Sequence, residues 1–306
     1  MMPIQIAPSI LAADITCLGE EVDAMGKAKA DSIHIDVMDG HFVQNLAMGP
    51  DIVSALRKRS SLQLDAHLMI SSVESNLESF INAGADVISI HAKAMKASEK
   101  LYKSLESIRK AGRRAGVALD PGSSISSIES VLPIVDRILV MTVKPGLGGQ
   151  TFLQDQLETI RECRKRIDKV KHKIDLQVDG GINENTAPLA VEAGANVLVA
   201  GTAAFAGEAK KYTTKVENYT ANLAALRSAI NVEDEQPVKT LSGSLRDGGS
   251  ITGATKSTKT YYFFFSRKFL TNLKVNDINL SFNRKNKDEK RRLTSGKLKK
   301  YVTCRK

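Results

Sequence analysis

From residue 3 to about 230, short apolar runs rich in β-branched residues alternate with longer stretches in which apolar positions recur every three or four residues. The short runs lie near 4–9, 32–37, 62–69, 86–91, 115–119, 137–143, 174–179 and 195–200, and their length is that of strands. Between them, LGEEVDAMGKAKA, GPDIVSALRKR, SVESNLESFINAG, ASEKLYKSLESIRKAG, FLQDQLETIRECRKRIDKV and NENTAPLAVEAG carry the spacing of amphipathic helices. Several close on Ala-Gly just before the next strand, as in NAGAD, KAGRRAG and EAGAN, where glycine can end a helix in the left-handed conformation. Eight strand-helix units in about 230 residues predict the α/β class and a (β/α)8 barrel; an open doubly wound sheet is the alternative that alternation alone leaves standing.

A few polar residues interrupt the apolar runs, and their placement carries the chemistry. His34 and Asp36 in SIHIDVMDG, His67 in LDAHLMI and Asp179 in QVDGG stand within or at the end of a predicted strand. Residues two apart on a strand share a face, so His34 and Asp36 project together. Asp36, His67 and Asp179 fall at or near the ends of predicted strands two, three and seven, the end at which a barrel builds its functional face. Two imidazoles and two carboxylates meeting there would hold a divalent metal, and either carboxylate could also move a proton. His41, His91 and His172 receive no role; each reads as a hydrogen-bonded or surface histidine.

Charge changes the picture only after residue 230. Of 44 Lys plus Arg and 34 Asp plus Glu in the 306 residues, 18 and 7 lie in 231–306, so that segment carries +11 and residues 1–230 carry −1. The segment begins as a polar, Gly/Ser/Thr-rich stretch, passes through YYFFFSRKFL and ends in Lys, Asn and Arg without periodicity. It is expected to be a disordered appendage, 231–306, behind a catalytic domain 1–230, and nucleic acid enters as a partner only through it. Cys17, Cys163 and Cys304 are odd in number and widely spaced, which indicates neither a disulfide framework nor a thiolate metal site. The start, MMPIQIAPSILAAD, lacks a basic leading segment and reads as a first strand, and no run approaches the roughly 18 apolar residues of a membrane span. The expected compartment is the cytoplasm, with no membrane partner.

Six segments, APSILAAD, HIDVMDGHFVQN, LDAHLMI, the GLGGQTF loop, QVDGGI and AGTAAF, occur in the order found in ribulose-phosphate 3-epimerases, and the chain resembles that family over about residues 3–228. The resemblance implies a (β/α)8 fold and interconversion of D-ribulose 5-phosphate and D-xylulose 5-phosphate at C3 through an enediolate, a step of the pentose phosphate pathway. It implies His34, Asp36, His67 and Asp179 as ligands of one divalent ion (Zn²⁺, Fe²⁺, Mn²⁺ or Co²⁺), Asp36 and Asp179 as the acid/base pair, and a homo-oligomer. It places Ser9, His67, Met38, Met69 and Met141 around the substrate. Backbone N–H groups for a phosphate are expected from Gly146, Leu147, Gly148 and Gly149, from Gly180 and Gly181, and from Gly201 with Thr202. Four positions depart from the family pattern: Gln44 for Pro in GHFVPN, Lys144 for Asn in VNPG, Leu147 for Phe in PGFGG and Thr202 for Ser in AGS. Lys144 and Leu147 sit in or beside the expected lid, where they bear on turnover and sugar preference. The alternatives are a 3-epimerase for another ketose phosphate, such as D-allulose 6-phosphate, and a barrel that binds a sugar phosphate without turning it over.

Overall fold

The computed structural model describes residues 2–95, 97–206 and 214–230. The strands are β1 (Gln5–Pro8), β2 (Ser32–Asp39), β3 (Leu46–Ala47), β4 (Gln63–Met69), β5 (Val87–His91), β6 (Arg114–Leu119), β7 (Arg137–Met141), β8 (Asp175–Asp179) and β9 (Val197–Ala200). The helices are α1 (Leu18–Lys27), α2 (Pro50–Arg59), α3 (Val73–Ala83), α4 (Ser98–Lys110), α5 (Gln156–Ile167), α6 (Ala187–Glu192), α7 (Thr202–Phe205) and α8 (Lys215–Ile230). Eight strands run parallel in the order β1-β9-β8-β7-β6-β5-β4-β2, and a parallel bridge between Ser9 and His34 joins β2 back to β1. The sheet thereby closes on itself, as the (β/α)8 expectation requires.

Three features differ from the sequence reading. The ninth strand, β3, pairs antiparallel with the end of β2, Leu46 opposite Asp39, and its two residues are too few to show an alternation. Between β6 and β7 the chain forms a 3-10 helix, Ile125–Val131, capped by the Ser124 side chain, because a serine-rich stretch offers side-chain hydrogen bonds that compete with an α-helix. The third is α8, a helix outside the six predicted segments. It is anchored to the first βα unit: the Tyr219 hydroxyl donates to Glu21, the Lys215 ammonium pairs with the same carboxylate, and Arg227 donates to Lys29 O at 2.7 Å and Asp31 Oδ2 at 3.0 Å. The expected Ala-Gly helix ends form, with Gly84, Gly112 and Gly194 all at positive φ. Residues 231–306 lie outside the described residues, and with them Cys304. Cys163 is buried, and burial pushes its thiol up to about 12, which leaves it inert. No helix among the described residues is long and apolar enough to cross a membrane.

The period of two divides each strand between two environments. Outward-facing Ile33, Ile35 and Val37 of β2 and Leu64, Ala66 and Leu68 of β4 join Val22, Val53, Leu56 and Leu77 of the surrounding helices in one continuous apolar layer. Inward-facing positions are apolar only in patches, Ala7 with Val197 and Val199, and Ala118 with Leu139, Met141 and Val143. The rest of the lumen is polar and buried: His34, Asp65, Arg137, Asp175 and Gln177 are each at most 1% exposed. Arg137 Nη1 lies 2.9 Å from Asp65 Oδ2 and Nη2 lies 3.5 Å from Asp175 Oδ2, while Gln177 donates to Asp65 at 2.6 Å. Barrel lumens are usually filled by branched aliphatics, so this ionic layer needs a reason beyond packing.

Asp175 gives that layer a measurable signature. Burial would raise its carboxyl, but hydrogen bonds from Arg114 and Asn196, with the charges of Arg114 and Arg137, hold it below the ordinary carboxylate value. A carboxyl lowered in the folded state stabilises the fold above its unfolded pKa, about 3.9, and loses that contribution as pH falls toward the folded value. Urea unfolding of Asp175→Asn and the parent should therefore differ most near pH 7 and converge below about pH 4. A gap that stays constant down to pH 3 would show that the charge does not stabilise the fold.

Candidate metal and proton-transfer site

The ladder that builds the barrel also assembles the site. In the β2–β4 register, His34 stands beside Asp65 and Asp36 beside His67, while Asp179 ends β8 opposite Met141 of β7. His34, Asp36, His67 and Asp179 each present one ligand atom, and the four atoms lie within 4.8 Å of one another. His34 Nε2 is 3.4 Å from Asp36 Oδ1 and 3.7 Å from Asp179 Oδ2; His67 Nδ1 is 3.1 Å and 3.5 Å from the same two oxygens. A four-coordinate ion with bonds of about 2.0–2.2 Å needs ligand atoms about 3.3–3.6 Å apart, which these separations bracket. His34 Nε2 is buried and makes no aligned hydrogen bond among the described residues, a costly arrangement unless the nitrogen serves another partner. The donor set fits a divalent cation.

The electrostatics point the same way. Burial opposes a charge on His34, but the Asp36 and Asp65 carboxylates outweigh it and hold the imidazole well above its ordinary value. For His67, burial is likewise outweighed by Asp179 and Asp36. Asp36, which burial alone would raise, is held far below the carboxylate range by His34 and His67. Carboxylates that draw protons onto these rings would also draw a cation, whose binding displaces those protons. Asp65 accepts from His34 Nδ1 at 2.9 Å, which directs the Nε2 lone pair toward the carboxylates.

The other expected site residues surround this cluster. The Ser9 hydroxyl donates to Asp36 Oδ2 at 2.6 Å. Met38 and Met69 are register partners on β2 and β4, Met141 ends β7, and all three are buried. After β8, Gly180 has φ +120° and a Cβ there would lie 2.4 Å from Val143; Gly181 has φ +67° and its Cβ would lie 2.5 Å from the backbone N of Phe152. Neither position accepts a side chain, so the loop stays bare backbone next to Asp179. Gly201 leads into α7, which begins at Thr202. The Gly146–Gly149 loop is pinned from within, since Gln150 Nε2 donates to Lys144 O and Leu147 O, both at 2.7 Å. Asn45 ties it to the loop after β2 by donating to Gly146 O at 3.2 Å. Leu147, at the tip, is 67% exposed, and Lys144 is exposed.

Two of the histidines left without a role sit away from the cluster: His41 is held against Asp39 O at 2.9 Å, and His172 donates to Val135 O at 2.9 Å. The third does not. His91 is fully buried, with Nε2 2.8 Å from His67 Nε2 and Nδ1 3.1 Å from Asp120 Oδ2. Asp65, Asp120, Arg137 and Gln177 were also missed. The signal that exposed His34 with Asp36 was available for most of them: Asp65 stands two residues before His67 and Gln177 two before Asp179, while His91 and Asp120 end apolar runs.

Fold and site together define a (β/α)8-barrel protein with a buried two-histidine, two-aspartate centre at the strand ends and glycine loops beside it. The sequence matches the ribulose-phosphate 3-epimerase family over residues 5–205. It is 46% identical over 209 residues to the ribulose-phosphate 3-epimerase of Bacillus subtilis (strain 168), covering 68% of this chain and 95% of that one. It is 43% identical over 232 residues to the ribulose-phosphate 3-epimerase of Synechocystis sp. (strain ATCC 27184 / PCC 6803 / Kazusa), covering 76% and 96%. Among solved structures, the 3-keto-L-gulonate-6-phosphate decarboxylase of Vibrio cholerae O1 biovar El Tor str. N16961 shares the fold, with a TM-score of 0.54 at 17% identity over 75% of this chain and 98% of that one. The chain belongs to the ribulose-phosphate 3-epimerase family.

Proposed function

We propose that this protein interconverts D-ribulose 5-phosphate and D-xylulose 5-phosphate by moving the proton at C3. The observation that carries the reading is the convergence of Asp36 and Asp179 from strands three places apart around the ring, β2 and β8, beside two imidazoles. Inverting a carbon takes a proton from one face and returns one to the other, so two groups approaching from different directions are needed. Asp36 is held for that task by Ser9 and His67. Asp179 is fixed from behind: Thr142 N donates to Asp179 O at 2.8 Å, and the Thr142 hydroxyl lies 2.6 Å from Gly180 O. Met38, Met69 and Met141 offer a wall that cannot protonate the enediolate from the side. N–H groups of the loops at Gly146–Gly149, Gly180–Gly181 and Gly201–Thr202 suit the phosphate.

His34, His67, Asp36 and Asp179 would hold one divalent ion per chain, which when bound supplies Lewis-acid stabilisation of the charge that develops on the substrate oxygens, worth several kcal/mol. A mixed nitrogen and oxygen donor set does not select among Zn²⁺, Fe²⁺, Mn²⁺ and Co²⁺. Proton NMR of D-ribulose 5-phosphate in D₂O with the purified chain tests the whole reading: D-xylulose 5-phosphate deuterated at C3 should appear, and should cease to appear after chelation. No C3 exchange in metal-replete protein would refute it.

All assigned residues precede position 231, so we also propose that the basic segment is dispensable for turnover. A chain ending at residue 230 should retain kcat and KM within about twofold, the range expected of changes away from the site; a larger loss would mean that the segment contributes to the barrel.

A further inference from the structure

The centre uses one edge of His67, and the opposite edge enters a second arrangement. His67 Nε2 meets His91 Nε2 at 2.8 Å, and His91 Nδ1 meets Asp120 Oδ2 at 3.1 Å. These side chains rise diagonally across adjacent strands. Register pairs His67 with Ser89 and His91 with Ala118, and in each case the next member of the row stands two residues beyond that partner, on the same face. The two imidazole planes are 23° apart, and their centroids, 4.9 Å apart, are separated by nearly the N···N distance plus both ring radii. The rings therefore meet edge to edge, the geometry of an N–H···N bond. Phe42 covers His91 at a centroid distance of 4.8 Å.

This contact fixes where the protons sit. Two nitrogens at 2.8 Å share one hydrogen, so one donates and the other accepts. For His67 Nδ1 to offer a lone pair to an ion, the ring's hydrogen must be on Nε2. His91 Nε2 then accepts, and the hydrogen on His91 Nδ1 is donated to Asp120. We propose that His91 and Asp120 are positioning residues, a relay that locks His67 in the tautomer and orientation in which Nδ1 ligates the divalent ion. The inference rests on the metal-centre reading above. His34 shows the shorter version, with Asp65 directly on Nδ1. The two histidines thus face the centre through different nitrogens, and each ends on a carboxylate through the other. His91 bridges the distance to Asp120 that His67 does not span.

Loss of such an outer partner typically weakens metal binding 10–100-fold. The test is to strip the full chain of metal and titrate it with Co²⁺, following the d–d absorption, and with Zn²⁺ against a chromophoric chelator, while circular dichroism records the fold. His91→Leu removes the acceptor and should raise Kd about 10–100-fold with an altered Co²⁺ spectrum. His91→Gln, which retains an acceptor oxygen, should recover most of the affinity, and Asp120→Ala should fall between. Parental Kd and an unchanged Co²⁺ spectrum in folded His91→Leu overturn the relay. If that variant does not fold, an unchanged Kd in Asp120→Ala overturns it instead. A parent chain that binds neither Co²⁺ nor Zn²⁺ would overturn the metal-centre reading itself, a result distinguishable from equal binding by parent and variants.

Discussion

Asp36→Asn and Asp179→Asn should each slow epimerisation by about 10²–10⁴-fold and leave opposite isotopic signatures. In either variant one carboxylate has become an amide that cannot take a proton, while the other still faces one side of the substrate. That remaining group can remove and replace the C3 hydrogen of only one epimer, because the other epimer directs its hydrogen toward the amide. In D₂O the favoured epimer should continue to exchange its C3 hydrogen without inverting, and the disfavoured one should be inert. The two variants must then spare opposite epimers, which NMR shows when each sugar phosphate is supplied separately. Both side chains also belong to the four-atom cluster, so metal content has to be determined on the same samples. If both variants spared the same epimer, or if exchange fell only in proportion to metal content, the two-carboxylate assignment would be wrong.

The barrel and the cluster were legible because both follow from a period of two. A run such as SIHIDVMD states its inward set, His34, Asp36 and Met38, as clearly as its outward set, and the observed strand Ser32–Asp39 buries both. What stayed hidden depended on neighbours distant in sequence. His91 looked like any strand-end histidine until the β4–β5 ladder placed it against His67, 24 positions away. Arg137 opens an apolar run, where a charged residue normally marks solvent, and only ring closure puts it opposite Asp65 and Asp175. The α8 segment, KVENYTANLAALRSAI, was passed over as a helix, and its place is set by partners on the first βα unit. The 3-10 helix before β7 reflects local serine chemistry that apolar spacing does not report.

Arg137→Met should destabilise the protein by about 3 kcal/mol, the lower end of the usual cost of removing one partner from a buried ionic group. For a barrel of this size that corresponds to a fall in Tm of roughly 6–12 °C. The lower end applies because the carboxylates left behind keep other donors: Asp65 retains His34 and Gln177, and Asp175 retains Arg114 and Asn196. Arg137 itself is fully buried, and among the described residues none of its side-chain nitrogens makes an aligned hydrogen bond despite the close carboxylates, so the ionic layer is a poor device for stability alone. Replacing both partners, as in Arg137→Met with Asp65→Leu, should recover only part of the lost Tm, since apolar packing commonly matches or exceeds a buried ion pair but the buried His34 and Gln177 donors lose their acceptor. The same double variant removes the acceptor that orients His34, so its metal affinity should drop about 10–100-fold while the single Arg137→Met variant stays near the parent. Thermal unfolding and metal titration on the three proteins thus separate the two roles of the lumen. Parallel changes in Tm and affinity would mean that the buried charges serve the fold; changes in opposite directions would mean that Asp65 is retained for His34 and that Arg137 is retained to make a buried Asp65 tolerable.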